Sequence, residues 1–88
     1  MRLTNNLVFT DVGDRHMLVP VGEAAEKTNR IMALNDTAAF IANCLKEETT
    51  ESAIVDAMQK EYDASRAALE AGVASTLRKF RELGFIIE

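Results

Sequence analysis

Arg30-Ile31-Met32-Ala33-Leu34-Asn35-Asp36-Thr37-Ala38-Ala39-Phe40-Ile41 changes its periodicity within two residues. Arg30 to Leu34 is a β-compatible apolar run. Asn35 and Asp36 both suit a helix N-cap, where a short side-chain oxygen accepts a bond from a backbone N–H two or three residues on. Ala38, Ile41 and Leu45 then recur at the i, i+3, i+7 spacing of one helical face. Before this junction the chain reads as sheet and after it as helix, so the fold class is α+β.

Upstream, Leu7 to Val12 and Arg15 to Val21 carry β-branched and aromatic residues on either side of Gly13-Asp14, a two-residue hairpin turn. In the second strand Met17, Val19 and Val21 form the alternating set expected to face the core, with Leu18 interrupting the pattern. Pro20 has no ladder donor, so pairing is expected to stop near Val19 or to bulge there. Gly22 to Asn29 lacks a strand pattern and reads as a connection with room for a short helical turn. The third strand, Arg30 to Leu34, is an edge if the three strands follow in meander order.

Downstream, the spacing predicts three helices. The first runs from about Asp36 to Leu45. The second follows a cap at Thr49 or Thr50, stops by Tyr62-Asp63, and has an inner stripe of Ile54, Ala57, Met58 and Glu61/Tyr62. The third starts at Asp63 or Ser65 and runs to Leu83, with Leu69, Val73, Thr76, Leu77, Phe80 and Leu83 at core spacing and Gly84 as its stop. Phe85-Ile86-Ile87 returns an apolar tail to the core or the sheet.

A chain of 88 residues with 48% hydrophobic content is expected to form one domain over residues 1–88, with one modest core, which favours binding over catalysis. The net charge of −4 argues against a large nucleic-acid footprint, because affinity for phosphate backbones comes from clustered Lys and Arg. No apolar run is long enough for a membrane span, and Met1 to Asn6 lacks the apolar core of a signal peptide, so a soluble cytoplasmic protein is expected.

Candidate chemistry is sparse. His16 and Cys44 are the only residues of their kinds, so neither has a like partner at metal-ligand spacing and no metal site is expected. His16 reads as a strand residue on the solvent face, and Cys44 as a small buried hydrophobe. Asp11, Asp14, Glu23 and Glu26 sit where turns and loops are acidic without catalytic cause. No Gly-rich phosphate loop and no Ser/His/Asp set is suggested, so neither catalysis nor a cofactor is expected. Arg66, Arg78, Lys79 and Arg81 would suit the recognition helix of a small DNA-binding regulator, the alternative function. Glu70 and Glu82 are interleaved among them, as on a solvated face. Met32 and Met58 read as core gap-fillers.

The edge at Ile31-Met32-Ala33-Leu34 lacks the charge or proline that usually blunts an open strand, with only Arg30 as guard. Two readings stand. The edge is covered by the chain's own tail or by the mate of a homodimer, or it receives an extended peptide by β-augmentation.

A resemblance bears on that choice. Leu34-Asn35-Asp36-Thr37-Ala38-Ala39-Phe40-Ile41, Thr49-Thr50-Glu51-Ser52-Ala53-Ile54-Val55-Asp56-Ala57-Met58, Glu61-Tyr62-Asp63 and Leu83-Gly84-Phe85-Ile86 together resemble the PqqD-like family. Val19 to Ala25 also resembles one branch, and Ala42 stands where the family usually has a tryptophan. These small proteins are the precursor-peptide recognition elements of pathways that modify ribosomally made peptides. The resemblance implies a winged helix-turn-helix-like architecture, a three-stranded antiparallel sheet followed by a three-helix bundle. It implies a noncatalytic peptide chaperone that binds a precursor's leader segment and presents it to a modifying enzyme, often a radical S-adenosylmethionine enzyme. The leader would lie along Arg30, Ile31, Met32, Ala33 and Leu34 and in the groove beside the third helix, where Arg66, Glu70, Val73 and Leu77 form one i, i+4, i+7, i+11 stripe.

Overall fold

The computed structural model describes residues 1–27 and 31–88, without the side chains of residues 24 and 27. In chain order the elements are β1 (Arg2–Leu3), β2 (Leu7–Val12), β3 (Arg15–Pro20), α1 (Glu23–Lys27), β4 (Met32–Leu34), α2 (Asp36–Cys44), α3 (Glu51–Glu61), α4 (Arg66–Glu82) and β5 (Ile86–Ile87). The expected meander is present as an antiparallel sheet of order β2-β3-β4, followed by α2, α3 and α4. The fold is α+β and winged-helix-like.

The β2–β3 hairpin turns on Gly13 at φ +64°, while Asp14 keeps a negative φ. Positive φ at only the first of two central residues is the type II′ turn, whose twist suits antiparallel strands. The ladder runs unbroken from Val12 opposite Arg15 to Leu7 opposite Pro20.

The expected facing of β3 is inverted. Leu18 is fully buried and Pro20 buried, while Met17 and Val19 are half-buried and Val21 is exposed. His16 accordingly lies on the core side rather than the solvent side. Both alternating sets of β3 are apolar, so the count of apolar residues cannot fix the face, and one residue of phase exchanges the two sides. Pro20 causes neither an early stop nor a bulge. The Val21 N–H donates to the Asn6 carbonyl at 2.8 Å, which makes Val21–Asn6 a hydrogen-bonded pair. Alternation then turns the donor position of Pro20 away from β2, towards the flank where β4 pairs only as far as Leu18.

Each long helix starts on a side-chain cap. Asn35 Oδ1 accepts from the Ala38 N–H at 2.8 Å, Thr50 Oγ1 from Ala53 at 3.1 Å, and Ser65 Oγ from Ala68 at 3.2 Å; such caps are worth ~1 kcal/mol each. At the end of α4, Phe85 N–H donates to the Phe80 carbonyl and Gly84 N–H to that of Arg81, with Gly84 at φ +74°. This is a Schellman motif, and its two apolar ends, Phe80 and Phe85, are both buried.

The core joins Leu18 and Leu34 of the sheet to Ile41, Leu45, Ile54, Val55, Met58, Leu69, Val73, Leu77, Phe80 and Phe85. Four expected core positions, Ala57, Glu61, Thr76 and Leu83, are corrected, Thr76 being only half-buried. Val55 is buried, whereas Glu61 is exposed and Ala57 only half-buried, because the inner stripe of α3 is Ile54–Val55–Met58. Leu83 is exposed, since it caps α4 where the chain turns away and Phe85 takes its place inside. Ala42 is fully buried in α2.

The tail leaves the three-stranded sheet alone. β5 pairs antiparallel with β1, Arg2 opposite Ile87 and Leu3 opposite Ile86. The Leu3 N–H donates to the Leu45 carbonyl and that of Thr4 to Phe85, both at 2.9 Å. β1 is too short to show a pattern in the sequence.

Candidate functional site

β4 is shorter than expected, Met32–Leu34, with Ile31 beside it outside the ladder. Arg30, expected at its start, lies outside the described residues. Among the described residues β4 is the last strand of its sheet, and the tail, expected as one possible cover, pairs with β1 instead.

The register fixes which backbone groups face out. His16 stands opposite Leu34, Met17 opposite Ala33 and Leu18 opposite Met32. Because Arg15, Met17, Val19 and Val21 direct their polar groups to β2, His16 and Leu18 direct theirs to β4. Met32 and Leu34 therefore bond to β3, while the N–H and C=O of Ala33, and by the same alternation of Ile31, point off the sheet. Side chains alternate the other way: Leu34 is buried and Met32 half-buried on the core face, Ala33 is exposed, and Ile31 is 59% exposed. An incoming strand would find paired donors and acceptors two residues apart, with apolar neighbours on both faces.

The α4 stripe divides. Val73 and Leu77 are 0% exposed, so they belong to the core and offer a ligand no surface. Their i, i+4 spacing served either reading. Arg66 and Glu70 keep free surface, but α3 engages Arg66, which in turn lies beside Glu70. Arg66 Nη1 donates to Asp56 Oδ1 at 2.8 Å and Gln59 Oε1 at 2.7 Å, and its Nε lies 4.0 Å from Glu70. The Asp56 carboxylate, with a smaller share from Glu70, raises the guanidinium pKa further. The two residues line a depression between α3 and α4 with Thr50, Glu51, Ser52 and Val55.

His16 holds a cluster absent from the sequence reading. Its Nδ1 bonds the Asp11 carboxylate, its Nε2 lies 3.3 Å from Asp36 Oδ1, and its ring stacks on Phe9 at 6.4 Å between centroids. A neutral imidazole has one N–H, so carboxylates at both nitrogens call for imidazolium. The Asp11 hydrogen bond raises the His16 pKa, desolvation partly opposes it, and Asp36 adds to the rise. Phe9, Asp11, His16, Asp36, Phe40 and Tyr62 share one open depression, where Phe40 and Tyr62 meet edge to face at 5.7 Å. These residues come from separate segments, so no local spacing signals the cluster.

Among the described residues no group of three or more His, Cys, Asp and Glu can hold a metal ion. Burial pushes the Cys44 thiol up, away from the reactive thiolate. Of the basic residues on α4, Arg66 pairs with Asp56 and Arg81 with Glu88 at 2.6 Å, which weakens a phosphate-binding face. No helix among the described residues is long and apolar enough to cross a membrane.

Residues 16–86 match the family described as Coenzyme PQQ synthesis protein D (PqqD). The chain belongs to the PqqD family. The match runs from His16 through the open edge and all three long helices to β5. Two solved structures share the PqqD fold of this chain. One is "TbiB1 in Complex with the TbiA(beta) Leader Peptide", at 22% identity and TM-score 0.81 over 97% of this chain and 93% of that one. The other is "Lasso peptide synthetase B1 complexed with the leader peptide", at 21% identity and TM-score 0.78 over 99% and 96%. A search of the curated proteins gives no significant match.

Proposed function

We propose that this PqqD-family protein is a noncatalytic carrier that takes the leader segment of a ribosomally made precursor peptide as an added strand on β4. The observation that carries the reading is the open edge at Ile31–Leu34, with the backbone of Ala33 directed outward. Membership of the family and a fold shared with two leader-peptide complexes support it.

Main-chain bonds to Ala33 and Ile31 supply sequence-tolerant affinity, and alternate leader side chains supply specificity. Those on the core face sit beside Met32 and Leu34, and Arg66 and Glu70 are candidates for polar contacts farther along α4. The carrier's catalytic contribution is proximity, since tethering a leader raises the effective concentration of the attached core segment at the enzyme. In this reading the modifying enzyme is a radical S-adenosylmethionine enzyme, the partner that the family resemblance implies. Where a short precursor-like reading frame neighbours this gene, calorimetric titration with its synthetic leader tests the reading. Saturable one-to-one binding per chain is expected, and no binding by the folded protein would refute it.

A further inference from the structure

On the outer face of the three-stranded sheet, the register aligns side chains in rows that cross the strands. Val8 stands opposite Val19, and Thr10 opposite Met17, which in turn stands opposite Ala33. The same register carried one residue beyond the ladder sets Ile31 across from Val19. The first row is thus Val8–Val19–Ile31, all β-branched and aliphatic, and the second is Thr10–Met17–Ala33. Along the first row Val19 is half-buried, whereas Val8 at one end is 46% exposed and Ile31 at the other 59%. A strand residue packs against its cross-strand neighbours on the same face. Among the described residues Ile31 has one on the β3 side only.

A strand added to β4 supplies the missing neighbour. The backbone of Ile31 is directed off the sheet, so the added residue directly across from it places its side chain on the outer face beside Ile31. The only charge in the rows is Arg15, which stands opposite Val12 in a third row at the hairpin end. A charged side chain across from Ile31 therefore meets no counter-charge in its own row or the next, whereas an apolar one covers exposed hydrocarbon. Ala33 ends the second row on a methyl group and offers the residue across from it little to grip.

We propose that Ile31 is the specificity-determining residue of the outer face. It selects a leader with a β-branched or aromatic apolar residue directly across from it, as the fourth member of the Val8–Val19–Ile31 row. The inference rests on the reading of β4 as the leader edge and assigns sequence preference to a side chain there, beside the sequence-tolerant main-chain bonds.

The test selects a phage-displayed library of random dodecapeptides against the full chain and against Ile31→Val, Ile31→Glu and Ile31→Lys, each checked for folding by circular dichroism. Amide exchange with the best synthetic peptide shows whether Ala33 is protected, and cross-strand nuclear Overhauser contacts identify the peptide residue across from position 31. That residue should be β-branched or aromatic for the parent and for Ile31→Val, basic for Ile31→Glu and acidic for Ile31→Lys. Lys at that position of the parent's peptide should weaken binding up to about fivefold, and Ile31→Glu should restore it. Peptides that protect Ala33 but show one preference across from Ile, Glu and Lys alike overturn the proposal and leave strand addition standing. A selection that yields no peptide protecting Ala33 overturns both.

Discussion

Ala33 stands opposite Met17 as the non-hydrogen-bonded pair between His16–Leu34 and Leu18–Met32. Its N–H and C=O therefore leave the sheet, while those of Met32 hold β4 to β3. In the proposed reading, peptide recognition and strand stability rest on alternate residues of one three-residue element.

Proline substitution separates the two roles. Ala33→Pro removes an outward donor and leaves the β3–β4 bonds in place, so the variant is expected to stay folded by circular dichroism. Calorimetry should show leader affinity reduced about two- to tenfold, the net worth of one hydrogen bond. Met32→Pro instead removes a donor to β3 and should lower the denaturation midpoint.

Phe80 belongs to both the core and the Schellman motif that ends α4. Phe80→Ala empties a fully buried ring site and should cost about 3–5 kcal/mol in denaturant unfolding. A loss below about 1 kcal/mol would mean that α4 presents another face to the core.

The helical half of the fold was legible because its signals are local. Asn35, Thr50, Ser65 and Gly84 each act where their chemistry suggests, and Leu69, Val73, Leu77 and Phe80 keep one face over a long helix. The sheet was legible in order but not in facing. Met17, Val19 and Val21 compete with Leu18 and Pro20 for the core, and the winner is set by cross-strand partners Phe9, Leu7 and Met32, which local spacing does not encode. The candidate edge was visible as an unguarded run, but its outward residues follow only from register. Val73 and Leu77 show the same limit on a helix, since apolar spacing does not distinguish a groove wall from a core.

His16 gives stability a pH dependence of definite sign. Its folded pKa is raised by Asp11 and Asp36 above an unfolded value of about 6.5. The charged bridge therefore stabilises fully below the unfolded pKa, and its contribution is lost as pH rises through the folded pKa. Denaturation of the parent and His16→Gln across pH 5.5 to 9 should show the largest difference at the acidic end. A difference that grows with pH would contradict the two-carboxylate bridge.

Amide hydrogen exchange with and without saturating leader peptide tests the central claim most directly, because it reads the edge without altering it. Peptide addition to β4 predicts that exchange at Ala33 and Ile31 slows markedly on binding, while Met32 and Leu34, already bonded to β3, change little. A leader that binds tightly while Ala33 and Ile31 exchange as in the unbound protein would show that it docks elsewhere.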